Sequence, residues 1–137
     1  MGTFTWQTWN SGPFRIERRP GQEPGTVILA FHGPFTLRDV YSSLPTMTLS
    51  RMLELETPSG EPPLARNILD LSACPYMDSS GVGMVVSHFV HCRRRGIAVI
   101  AACLAPRVRE VFKLTRVDSI VPIAASLQEA ETAPGSR

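Results

Sequence analysis

The chain has 137 residues, 43% of them hydrophobic, and a formal net charge of +2. That length suits one domain, and that hydrophobic fraction is too high for a disordered chain. A charge balance so near neutrality leaves no electrostatic footprint for nucleic acid or an anionic membrane surface, and no apolar run approaches the ~20 residues that insert across a bilayer.

Residues 1–13 mix Trp6 and Trp9 with Thr, Ser and Gly without a period and read as an N-terminal extension, the two Trp docking on the protein's own surface. They lack the basic and apolar regions of a signal peptide, and Trp6 stands where a myristoylation motif needs Ser or Thr. Phe14-Arg15-Ile16-Glu17-Arg18 alternates as a half-exposed strand does. Pro20 to Gly25 is turn chemistry, and Thr26 to Phe31 is the second arm of a hairpin. Over 36–56, Thr36 is a candidate cap and Pro45 a breaker, so two short helical pieces or one late helix are expected. Pro58, Gly60, Pro62 and Pro63 mark 57–63 as a loop.

Arg66 to Leu71 reads as a central strand. The helix expected over 80–95 places Val82, Val85, Val86 and Phe89 on one face, and Gly96 stops it. Ile97 to Cys103 is apolar throughout, as a strand covered on both faces should be. Strand, helix and strand make a βαβ unit, so the chain is α/β: a mixed β-sheet with packed α-helices. Pro106 to Leu114 is a short helix, Ser119 to Ile123 a short last strand, and Ser126-Leu127-Gln128-Glu129 a capping box.

Between strand and helix lies Tyr76-Met77-Asp78-Ser79-Ser80-Gly81-Val82-Gly83. Asp and Ser cap helix starts, where backbone N–H groups are unpaired and a phosphate would meet donors. A well-capped helix accounts for these residues, and so does a serine that serves as a covalent switch. A hydrolase needs Gly-x-Ser-x-Gly, but Met77 stands where the first Gly should be. His88 and His91 lie roughly 13 and 18 Å along the helix from Ser79, too far to take its proton. His88 and Cys92 are i, i+4 without a third ligand, so no metal is expected. Cys74, Cys92 and Cys103 are odd in number and lack Cys-x-x-Cys spacing, which fits a reduced, cytoplasmic setting without disulfides or structural zinc. Gly81-x-Gly83 lacks the rest of a Rossmann turn or P-loop, so no cofactor is expected. Ser80, Met84, Ser87 and His91 form a non-core stripe down the helix, with His88 and Arg95 alongside. It suits a docked protein, and it equally suits an ordinary solvent face.

Several stretches together resemble the STAS domains of bacterial anti-sigma-factor antagonists. They are Asn67-Ile68-Leu69-Asp70-Leu71, Met77 to Gly83, Gly96-Ile97-Ala98-Val99, Pro106-Arg107-Val108, Leu114-Thr115 and Ser126 to Ala130. The resemblance implies a single STAS domain over 14–131 followed by a tail at 132–137. It implies that Ser79 is phosphorylated by a serine protein kinase that is also the anti-sigma factor. The unphosphorylated form would bind that factor and release a sigma factor, and a PP2C-type phosphatase would reset the switch. Asp78, Ser80, Gly81, Met84, Ser87 and His91 would then be the partner-binding residues, and the protein a substrate and regulator of transcription rather than an enzyme. Some STAS proteins use this corner without phosphorylation, in stressosome-like or lipid-transport complexes. Two residues depart from the family pattern: Thr36 takes the place of a common Asp, and Arg116 that of a common Gly.

Overall fold

The computed structural model describes residues 7–11, 14–36 and 63–133. Its core is a six-stranded sheet whose spatial order follows the sequence. Strands β1 (Gln7–Ser11), β2 (Phe14–Pro20) and β3 (Thr26–His32) form an antiparallel meander. Strands β4 (Arg66–Ala73), β5 (Ala98–Ala102) and β6 (Ile123–Ala124) continue from β3 in parallel. The mixed sheet expected from sequence is therefore present, with β4 in its interior. The helical pieces expected over 36–56 and the loop over 57–63 fall almost wholly on residues outside the description, as does Trp6.

Two expectations need correction. Residues 7–11, read as part of an N-terminal extension preceding the domain, form β1, registered from Gln7 opposite Arg18 to Ser11 opposite Phe14. The last strand begins at Ile123 rather than Ser119, because Val117–Ser119 closes into a 3-10 turn. Ile120 and Val121 both donate backbone N–H bonds to the Val117 carbonyl, which removes them from the ladder.

Strand alternation divides the core in two. On one face, Phe14, Ile16, Leu29, Phe31, Leu69, Leu71 and Val99 pack against helix α1 (Ser79–Arg94) and helix α2 (Pro106–Leu114) through Val82, Val85, Phe89, Val108 and Phe112. On the other, Ile28, Ile68, Ile100 and Ala102 pack against Ala130 of helix α3 (Leu127–Thr132). β5 is covered from both sides, as its continuous apolar sequence requires. Val86 of α1 is half-buried rather than buried.

Caps set the helix ends. Ser126 Oγ accepts from the Glu129 N–H at 3.1 Å, and Glu129 Oε2 accepts from the Ala125 N–H at 3.1 Å. α1 ends where Gly96, at φ +76°, donates to the Arg93 carbonyl and Ile97 to that of Cys92, a Schellman stop that a side chain would strain. Arg116 also lies in the left-handed region, at φ +62°, which explains why a glycine suits that place.

Candidate functional site

The site is built where the parallel strands end. Beyond β3 and β4 the chain stays zipped: the Gly33 N–H donates to the Ala73 carbonyl at 2.9 Å and the Phe35 N–H to that of Tyr76 at 3.0 Å. Phe35 and Met77 then form a parallel bridge, and both are fully buried. Phe35 stacks on Phe14 at 4.8 Å between ring centroids and meets Phe31 edge-on at 5.3 Å. An aromatic cluster thus holds the loop from which α1 starts.

Asp78 is the N-cap of α1. Its backbone is extended and its N–H donates to the Phe35 carbonyl at 3.3 Å. Its Oδ1 accepts from the Gly81 N–H at 3.0 Å, and its carbonyl accepts the first helical bond from Val82. The cap is therefore the aspartate, which leaves Ser79 in the first helical position, exposed, with Ser80 half-buried after it. The Ser79 hydroxyl makes no hydrogen bond among the described residues. The backbone N–H groups of the first helical turn and the positive end of the dipole surround it.

The expected docking residues divide. Ser79, Ser87 and His91 are exposed, and Asp78, Ser80 and Met84 half-exposed, along one outer stripe of α1. Gly81 is buried and does not belong to that surface. It faces inward, where a Cβ would strike the Phe35 carbonyl oxygen and lie 2.6 Å from Met77 Cγ. His88, expected alongside the stripe, is also buried. Its Nε2 lies 2.7 Å from Asn67 Oδ1, and Asn67 Nδ2 donates to the Val27 carbonyl at 2.9 Å. Burial, and secondarily the charge of His91, push the His88 pKa down to about 4, so its imidazole is neutral at pH 7. Cys92 Sγ lies 3.6 Å from His88 Nε2, but no group of three metal-binding side chains occurs among the described residues.

His32 does not approach Ser79. It lies on the sheet face opposite α1, with Nε2 3.5 Å from Glu17 Oε1, beside the Arg19–Asp70 ion pair at 3.1 Å. Neither it nor the α1 histidines supplies a base to Ser79. Thr36 follows Phe35 and so stands beside Asp78 at the start of α1. Two residues to which the sequence assigned no role meet here. Tyr76 is half-buried, and the Arg107 guanidinium lies 4.5 Å over its ring, joining the start of α2 to the loop before Ser79. The sequence signal for this pairing is the βαβ order, which sends the loops after β4 and β5 out of the same end of the sheet.

The sequence model of the STAS domain matches residues 20–130. Among solved structures, a Thermotoga maritima protein proposed as an anti-sigma factor antagonist superposes with a TM-score of 0.65 at 20% identity, over 83% of this chain and 89% of that one. A sulfate transporter family protein from Wolinella succinogenes gives 0.62 at 16%, over 82% and 84%. The anti-sigma factor antagonist SpoIIAA in its unphosphorylated form gives 0.54 at 17%, over 85% and 91%. Likenesses at this identity establish the shared fold. No helix among the described residues is long and apolar enough to cross a membrane.

Proposed function

The chain belongs to the STAS domain family, and on that footing we propose that it is a phospho-regulated anti-sigma-factor antagonist with Ser79 as its switch. The observation that carries this reading is the division of labour at the start of α1. Asp78 closes the helix, so the exposed Ser79 hydroxyl is held in place without being used. A serine so placed accepts a phosphoryl group without loss of a structural bond.

Unmodified, the corner and the stripe Ser80, Met84, Ser87 and His91 dock on an anti-sigma factor that is also a serine protein kinase, and a sigma factor is released. The kinase transfers the γ-phosphoryl group of ATP to Ser79 Oγ. The Oγ–P bond forms as the bond to the β,γ-bridging oxygen breaks, ADP leaves, and the hydroxyl proton passes to a base on the kinase. The product carries ~1.5 to 2 added negative charges beside Asp78. Like charges forced together at an interface cost several kcal/mol, and each ~1.4 kcal/mol is tenfold in affinity, so one phosphate suffices to dissociate the complex. A PP2C-type phosphatase resets the switch by hydrolysis: water attacks phosphorus, the Oγ–P bond breaks, inorganic phosphate leaves and the Ser79 hydroxyl is restored, so the protein is a substrate rather than a catalyst.

Intact-mass measurement after incubation with ATP and the cognate kinase tests this. One added phosphate on the wild type and none on Ser79→Ala is expected. An unlabelled wild type, or equal labelling of the variant, defeats it. Co-purification with a membrane transporter subunit in place of an ATP-binding kinase would instead place the domain in a non-phosphorylated assembly.

A further inference from the structure

We propose that Arg107 is the receiver of the phosphate on Ser79: once the serine is modified, the guanidinium pairs with the phosphoserine and latches the start of α2 to the start of α1. This rests on Ser79 as the phosphoryl acceptor.

Four observations converge on it. β4 and β5 are parallel neighbours, registered from Arg66 opposite Ala98 to Asp70 opposite Ala102, so the loops that lead into α1 and α2 leave the sheet side by side. Both helices pack on the same face of the sheet. Arg107 already reaches across this gap to Tyr76, three residues before Ser79, a separation of at most about 11 Å of extended chain. The partner it holds there is a ring, and among the described residues it makes no hydrogen bond or ion pair. Among the described residues its N–H donors are thus uncommitted, and they lie over the loop that leads to Ser79.

The guanidinium fork matches a phosphate in a way an ammonium does not. The start of α2 favours the same charge: Ala105 provides no side-chain cap, Pro106 occupies the first turn, and no acidic residue lies there. Tyr76 parks the cation in the unmodified state, since a cation over an aromatic face is a weak, solvent-tolerant contact. A phosphate monoester beside it offers charge-assisted hydrogen bonds instead. Asp78, the residue before Ser79, repels the phosphate, which makes a receiver useful: it keeps the modified corner in one arrangement rather than letting it fray.

The test uses phosphoserine inserted at position 79 during translation of the full chain, in the wild-type, Arg107→Ala and Arg107→Lys backgrounds. The second ionisation of the phosphate is followed by phosphorus NMR. A nearby cation favours the dianion, so the wild type should ionise about half a pH unit or more below Arg107→Ala, with Arg107→Lys between them. The difference should shrink as salt is raised. Equal ionisation in the three proteins overturns the proposal, and so does loss of the native circular dichroism when phosphoserine is inserted. Arg107 is exposed, so its variants should keep the wild-type melting curve; if Arg107→Ala does not fold, Arg107→Lys against wild type decides. No kinase enters this experiment. A low phosphate pKa in a protein that its kinase does not label separates the receiver from the regulatory reading.

Discussion

Gly81 and Gly83 stand two residues apart on one helix, and only the first is required to be glycine. A side chain on Gly81 has no room between the Phe35 carbonyl and Met77, and that carbonyl also accepts the Asp78 N–H, so relief on one side disturbs the cap on the other. Gly83 is exposed, with nothing within 4 Å of where its Cβ would be. Gly81→Ala should therefore cost about 1–3 kcal/mol in denaturant unfolding. Gly83→Ala should raise stability by about 0.5–1 kcal/mol, the ordinary helix preference for alanine. Cap and switch separate in the same way. Asp78→Ala removes the bond to the Gly81 N–H and should cost ~1 kcal/mol. Ser79→Asp should leave the unfolding midpoint nearly unchanged while abolishing capture of the anti-sigma factor; an unfolding loss as large as that of Asp78→Ala would make Ser79 a structural residue. The sequence pattern placed both glycines and both serines at the right junction. It did not separate them, because the segment that fills the space over Gly81 comes from Phe35, far back in the chain.

At the scale of elements, α1 joins an exposed stripe to a buried face that carries a polar link to the sheet. His88, Asn67 and the Val27 carbonyl form that link, and the imidazole is neutral in the folded protein. Its folded pKa, about 4, lies below the ordinary histidine value of 6.5. The unfolded chain therefore binds a proton first as pH falls. Stability from this group is complete above about pH 6.5 and is lost progressively as pH drops toward 4, by ~3 kcal/mol if no other group compensates. Unfolding free energies measured between pH 7 and 4 should show this decline, and His88→Gln should flatten it. An unchanged slope in the variant would assign the acid sensitivity elsewhere. The helices were legible because their apolar residues recur with a helical period and their stops are local: Gly96 after α1, Ser126 and Glu129 before α3. β1 was not, since Gln7-Thr8-Trp9-Asn10-Ser11 has no apolar alternation and owes its form to pairing with β2. His88 was placed alongside the outer stripe because a histidine next to Ser87 and His91 reads as exposed, and its partner lies on a different element.

Across the whole molecule, the sheet separates the face proposed for recognition from the face that anchors α3. The α1 stripe and the Ser79 corner lie on one face, and α3 lies on the other, fastened by long-range polar contacts. Glu131 accepts the N–H groups of Gln22 and Glu23 at 2.8 and 2.9 Å, which holds the β2–β3 turn against the helix. Arg66 donates to the Ala130 and Ala133 carbonyls at 2.8 and 2.7 Å, satisfying groups that the end of the helix leaves open. None of this was legible in the sequence, where Glu131 and Arg66 look like ordinary surface charges. Such a division predicts two variants with opposite effects. Glu131→Ala strands two backbone donors that water can partly satisfy, so it should cost ~1 kcal/mol of stability and leave affinity for the anti-sigma factor unchanged. Ser87→Arg adds bulk and charge to the middle of the exposed stripe, where the fold is indifferent. It should leave unfolding unchanged within about 0.5 kcal/mol and weaken partner binding tenfold or more, which corresponds to ~1.4 kcal/mol. Calorimetric titration of each variant beside its denaturation curve checks the pair. Loss of affinity in Glu131→Ala at full stability, or full affinity in Ser87→Arg, would move the docking surface off α1 and onto the opposite face of the sheet.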